Sequence, residues 1–279
     1  MNTYKKSDLV GKTSRAFDSR VLRRTILNLA YHGQTAHIGC ALSLVEILAV
    51  LYREHLRQGN GEPNDPERDY LVLSKGHGVM AQYACLHELG WIRDEDVACY
   101  FADGSKLHGL AHAHVPGVEA TTGSLGHGMS IAVGIALGCK RQRSPQRVFA
   151  IVGDGELNSG PIWEAALFAA HHHLNNLIVI VDANGHQALG RTAEVMQLGS
   201  IAGKFAAFDW NSAEVDGHDE AALSAQLHEI IRSESTAPSA LVARTVKGKG
   251  VSFMEDDNRW HYGRLNELAY EAAVAELKL

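Results

Sequence analysis

The chain has 279 residues, 46% apolar and 21% charged, with a formal net charge of −6. That balance fits a soluble globular protein with a sizeable core, and the lack of a long run of one sign argues against a general nucleic-acid binder. No stretch has the apolar length of a membrane span, the MNTYKKSDLVGKTSR start lacks the apolar core of a secretory signal, and Cys40, Cys85, Cys99 and Cys139 lack CxxC spacing, as free thiols of a reducing cytoplasm would.

One domain is expected over residues 1–279. Apolar periodicity predicts a helix over 14–31, with Val21, Leu22, Ile26 and Leu29 on one side. Residues 32–40 read as a polar, glycine-containing turn. Ser43 is placed to cap the next helix, with Glu46 three residues on as its capping-box partner. Residues 57–69 form a polar loop, and Tyr70–Ser74 a strand. The turn that follows, SKGHG, puts His77 at a helix start, where anions are favoured. Pro116-Gly117 marks a turn. Thr121–Gly128 is glycine-rich, which lets backbone approach a flat ligand, and Met129–Leu137 then becomes helical.

The stretch from Arg147 to Gln187 organises the rest. Val148–Val152 is a short apolar run, as in a buried parallel strand, and it ends at Gly153-Asp154-Gly155. Pro161 suits the first turn of a helix running to about His173. Leu177–Val181 is a second apolar strand that stops at Asp182-Ala183-Asn184. This is a β-α-β unit, whose strand ends meet at the carboxyl edge of the sheet, where ligands bind. Asp154 and Asn184 then face one crevice as two hard oxygen ligands. Such donors suit Mg2+, which shares six oxygens between protein and substrate phosphates. The backbone carbonyl of His186 is the simplest third ligand. Taken alone, Gly-Asp-Gly is also an ordinary strand end. His171-His172-His173 cannot converge on one ion, because consecutive helix residues point about 100° apart. They suit the negative end of the helix.

Beyond Asn184, Gln187, Gly190 and Arg191 make a polar lid over the metal edge. A strand around Ala213–Val215, a helix over 220–232, a buried strand Leu241–Val246 and a helix over 266–278 complete the chain. Lys247 and Lys249 read as solvated surface charges. Alone, His37 reads as a loop histidine and His261 as a surface histidine beside Trp260. The fold class is α/β, a doubly wound, mostly parallel sheet flanked by helices.

Gly-Asp-Gly, about thirty residues, then Asn after an apolar strand resembles the thiamine diphosphate signature. The filling, WEAALFAAHHHLNNLIVIVDANGHQ, resembles transketolases specifically. HIGCALSLVEILAVLY, SKGHG, PGVEATTGSLGHG, EVDGHD and TVKGKGVSFMEDDNRWH resemble the same family in the same order. The likeness runs from about Arg15 to Leu277 and is to the N-terminal, diphosphate-binding part. It implies the thiamine diphosphate-binding fold, with Mg2+ on Asp154, Asn184 and the His186 carbonyl. It places His77, Gly155 and His261 at the diphosphate, the Gly123 carbonyl at the aminopyrimidine, and Leu125 against the cofactor, with Gly153 and Glu156 also among the cofactor-binding residues. His37, His77 and His261 would handle donor hydroxyls and proton transfers. Glu164 would join a carboxylate network across a dimer interface.

The resemblance further implies transfer of a two-carbon ketol unit from a ketose, as its phosphate, to an aldose acceptor. The family also needs a second domain that holds the pyrimidine and supplies an activating glutamate. A separate C-terminal chain is expected to provide it, in a dimer of heterodimers. Two positions depart from the family. Its substrate-facing histidine falls at Leu110, with His108, His112 and His114 nearby, and its QEG after Gly-Asp-Gly is here Asn158-Ser159-Gly160. A deoxyxylulose-phosphate-synthase-like enzyme taking pyruvate, a degenerate cofactor-binding or regulatory subunit, and an unrelated metal-phosphate protein are the alternatives.

Overall fold

The computed structural model describes residues 16–279. The leader reading and the first two residues of the helix expected over 14–31 lie outside it. In the sheet, β1 (Tyr70–Leu73), β2 (Val148–Gly153), β3 (Leu177–Ala183), β6 (Asn211–Asp216) and β7 (Ser239–Arg244) take the order β1-β2-β3-β7-β6. Every neighbouring pair is parallel. A short antiparallel hairpin, β4 (His186–Gln187) and β5 (Gly190–Arg191), stands beyond the carboxyl end of β3.

Side chains alternate across a strand, and in β1, β2, β3 and β7 both faces are apolar, while the edge strand β6 is polar on one face. Phe149, Ile151, Ile178, Ile180, Leu241 and Ala243 enter one core. It is closed by α1 (Ser19–Gly33), α2 (Ile38–Leu42), α3 (Val45–Val50), α4 (Val79–Glu88), α5 (Asp94–Ala98) and the later α10 (Glu220–Arg232) and α11 (Glu267–Glu276). Val148, Ala150, Val152, Val179, Val181 and Val242 enter the other, under α6 (His127–Arg141), α7 (Gly160–His171) and α9 (Ile201–Ala206). The small α8 (Thr192–Val195) follows the hairpin. Strands covered on both faces must be apolar throughout, which is why β2 and β3 read as unbroken runs. Each such Val, Leu or Ile side chain contributes about 1.5–3 kcal/mol on burial. The doubly wound expectation therefore holds, and the cysteines are free thiols. No helix among the described residues is long and apolar enough to cross a membrane.

Three expectations are corrected. Ser43 does not cap the following helix, and Glu46 is not its box partner. The Ser43 hydroxyl instead donates to Asp182 at 2.7 Å, 139 residues away, while Glu46 pairs with Arg23 and His218. The last central strand lies at Ser239–Arg244, two residues earlier than expected. Lys247 is not a surface charge: its side chain is fully buried.

Candidate active site

A cleft of about 460 Å³ opens at the carboxyl edge of the sheet, where β2 and β3 end side by side with Gly153 opposite Asp182. His37, His77, Gly123, Leu125, Gly153, Asp154, Gly155, Glu156, Asn184, His186 and His261 all line it, as does Leu110. Glu164 does not line it: it lies exposed on α7.

The floor is ionic and buried. One Asp154 oxygen accepts from the Gly155 N–H at 2.9 Å, the other from the Gly185 N–H at 2.9 Å and the Thr192 hydroxyl at 3.0 Å. Burial first, then the neighbouring Asp182 charge, pushes its carboxyl up to about 6. A carboxylate so destabilised gains from a cation. Asn184 donates to Asp182 at 3.0 Å, and its Oδ1 accepts from the His186 N–H at 3.1 Å, which fixes the amide. Beneath lies an ion pair between Lys75 and Asp182, both at most 2% exposed. Burial alone would raise the Asp182 carboxyl and lower the Lys75 amine, but their mutual attraction holds each in its charged form. Ser43, Thr245 and Asn184 complete the carboxylate's donors.

Glu156 is a tie within the chain. Its carboxylate accepts from the Ser74 hydroxyl, the Gly126 N–H and the Gly153 N–H, joining the end of β1, the TTGSLG loop and the Gly-Asp-Gly turn. Gly76 makes that junction possible, since a Cβ there would sit 2.5 Å from the Thr122 carbonyl.

Above the floor stand three imidazoles. The ring centroids of His37, His77 and His261 are 5.1–5.8 Å apart. His37 starts α2 with φ +69°, a left-handed conformation that non-glycine residues adopt at a cost of about 1–2 kcal/mol, and its N–H donates to the His261 carbonyl at 2.9 Å. Burial, with the Lys75 and Lys247 charges behind it, holds all three below the ordinary histidine range, His261 at about 3. At neutral pH they are uncharged.

The rim is apolar. Leu189, at the hairpin tip, is 87% exposed, and Tyr262 beside His261 is 64% exposed. The hairpin is tethered by the Arg191–Asp256 ion pair and by the Asn258 amide, which donates to the Ala188 carbonyl at 3.1 Å. Gln187 lines the cleft with its Nε2 donor buried and unpartnered among the described residues. Among the same residues no three His, Cys, Asp or Glu side chains are gathered to hold a metal. A cation at Asp154 and Asn184 would draw further oxygens from its ligand, as Mg2+ does with phosphates. An anionic diphosphate with a divalent cation therefore fits the donor set.

Lys75, Asp182, Lys247 and Cys40 join the site without a local motif to announce them. The available signal was Asp182, an aspartate inside an otherwise apolar buried strand, which requires a buried partner.

The family model for transketolase, thiamine diphosphate binding domain, matches residues 18–277. A subunit of the apulose-4-phosphate transketolase of Phocaeicola vulgatus is 37% identical over 261 residues, covering 91% of this chain and 90% of that protein. The 6-deoxy-6-sulfo-D-fructose transketolase subunit SqwG of a Clostridium species is 38% identical, covering 93% and 94%. Among solved structures, the transketolase from Leishmania mexicana superposes with a TM-score of 0.87 at 27% identity, over 96% of this chain but 42% of that one. The chain thus spans less than half of that enzyme. With the family's motifs lining one cleft of the family's fold, the chain belongs to the transketolases, matching their thiamine diphosphate binding domain.

Proposed function

We propose that this chain is the diphosphate-binding subunit of a two-chain, Mg2+-dependent transketolase, which moves a two-carbon ketol unit from a ketose phosphate to an aldose. The observation that carries the reading is the meeting of Asp154 and Asn184 at adjoining strand ends, under three uncharged histidines in one cleft. Bound thiamine diphosphate would supply the nucleophilic carbon that cleaves a ketose beside its carbonyl. The chain's own groups do the rest. Asp154, Asn184 and the His186 carbonyl would hold Mg2+. His77, His261, Gly155 and the Gln187 amide would contact diphosphate oxygens. The Gly123 carbonyl and Leu125 would seat the rings. His37, His77 and His261, neutral in the cleft, would bind donor hydroxyls and pass protons to and from them.

Two relatives support the partner and the substrate class: both are named as transketolase subunits, one for apulose-4-phosphate and one for 6-deoxy-6-sulfo-D-fructose. The exposed rim and the exposed Glu164 suit a covering second chain that supplies the pyrimidine site and a glutamate, in a dimer of heterodimers. Leu110, in the cleft wall, cannot hydrogen-bond a sugar hydroxyl, which favours a donor other than an ordinary pentose phosphate unless His108, His112 or His114 takes its place. Leu110→His is expected to raise rates on ordinary ketose phosphates, and unchanged rates would remove Leu110 as the cause of donor choice.

The test is ketol transfer by the chain alone and mixed with a C-terminal transketolase chain, with thiamine diphosphate and Mg2+. Turnover only in the mixture is expected. Turnover by the chain alone, or pyruvate use in place of ketose, would overturn the reading.

A further inference from the structure

Lys247 is a buried cation in an unusual setting. Its side chain is fully enclosed, and among the described residues no carboxylate lies within ion-pair distance of it. An ammonium without a counter-charge is costly to bury. Its Nζ has two partners: Asn258 Oδ1 at 2.8 Å and Nδ1 of His261 at 2.9 Å. The Asn258 amide orientation is set independently, because its Nδ2 donates to the Ala188 carbonyl. The Cys40 thiol lies 3.6 Å from the same His261 nitrogen.

The backbone around the lysine is equally fixed. The Val246 N–H donates to His218 Nε2 at 2.8 Å, the Gly248 N–H to the Gly39 carbonyl at 3.0 Å, and the Asp256 N–H to the Lys247 carbonyl at 2.9 Å. Gly39 lies against the stem: a Cβ there would sit 3.2 Å from Lys247 Cγ. The amine is therefore built into place.

We propose that Lys247 is a positioning residue that locks His261 as its Nε2–H tautomer, so that His261 presents a hydrogen-bond donor, not a base, to the cleft. The argument is one of polarity. Burial lowers the Lys247 amine from its ordinary value; in its ammonium form it has three donors and no acceptor, so the Nδ1 facing it accepts, and the Cys40 thiol, held protonated by burial, faces the same nitrogen as a second donor. A neutral imidazole whose Nδ1 accepts carries its proton on Nε2. Nε2 has no partner among the described residues, and His261 lines the cleft. Burial first, then the Lys247 charge, keeps the ring neutral at physiological pH. His37 and His77 have no such ring partner among the described residues and keep both tautomers open. Resting on the transketolase reading, this divides the work: His261 donates to a phosphate or carbonyl oxygen, and the base is His37 or His77.

The tautomer is readable without cofactor, partner or turnover. In the cofactor-free chain carrying 15N-histidine, long-range 1H–15N correlation spectra at neutral pH distinguish the two forms, and H261N identifies the signal among the 16 histidines. The wild type is expected to show His261 as Nε2–H alone. In K247M the signal should shift to a mixture or to Nδ1–H, with the imidazole titrating roughly 1 unit or more higher for loss of a like charge. K247R should restore the single form. An Nδ1–H or mixed His261 in the wild type, or an unchanged signal in K247M, would overturn the proposal. The wild-type spectrum decides even where a variant does not fold, and absence of ketol transfer would count against the function, not the tautomer.

Discussion

The floor and the rim of the cleft invert the ordinary partition of side chains. On the floor, Lys75, Asp154, Asp182 and Lys247 are charged types at most 4% exposed. Around the mouth, Leu110, Leu125, Leu189 and Tyr262 are large apolar types from 38% to 87% exposed. Burying charge is tolerated only where partners are built in, and the floor has them: Asp182 alone collects Lys75, Ser43, Thr245 and Asn184. Exposed apolar clusters mark surfaces that something else covers. The floor is finished within this chain, whereas the rim is left open and suits the ligand and second chain proposed above.

The largest expected effect breaks the floor's function. Asp154→Ala should abolish Mg2+-dependent binding of thiamine diphosphate in titration calorimetry, and unchanged affinity would refute the metal assignment. Next is the floor's integrity. Lys75→Met strands a fully buried carboxylate, and chemical denaturation should show a loss of about 3–5 kcal/mol, whereas a loss under about 1 kcal/mol would mean the pair behaves as a solvated surface bridge.

A smaller effect appears in pH dependence. His37, His77 and His261 are depressed in the folded chain and titrate near 6.5 when unfolded. Between those values the unfolded chain binds more protons, so stability rises with pH. That contribution is complete above about 6.5 and is lost as pH falls toward about 3, the His261 value. Asp154, raised from 3.8 to about 6, acts with the opposite sign between those two values. His261→Gln should therefore flatten the acid limb of stability in the cofactor-free chain, and an unaltered limb would place the ring in solvent. The smallest effect on folding belongs to the rim. Leu189→Ser should leave stability within about 0.5 kcal/mol yet weaken association with the partner chain by about 1 kcal/mol, read by sedimentation. Equal association would exclude the hairpin tip from the interface.

The same contrast explains what the sequence made legible. Val148–Val152, Leu177–Val181 and Gly-Asp-Gly announce the β-α-β unit because strand periodicity and the turn are local, and Asp154 and Asn184 follow from where strands end. Lys247 reads wrongly as a surface charge because linear position gives no sign of what closes over a side chain. Here Gly39 and the Asn258–His261 turn come from both ends of the chain. Ser43 and Glu46 matched a local cap, yet a partner 139 residues away won the hydroxyl, since the buried Asp182 had more to gain. Strand ends drifted by two residues where β7 feeds the site. Glu164 shows the limit of one chain: exposed on α7, it has no local purpose in the cleft.

The division into a finished floor and an unfinished rim is tested most directly by native mass spectrometry of the tagged chain recovered from its own cells with thiamine diphosphate and Mg2+ present. The predicted result is a complex with a second transketolase chain that carries bound cofactor and metal by mass. A homo-oligomer of this chain alone, without cofactor, would contradict it and withdraw the catalytic roles given to the histidines.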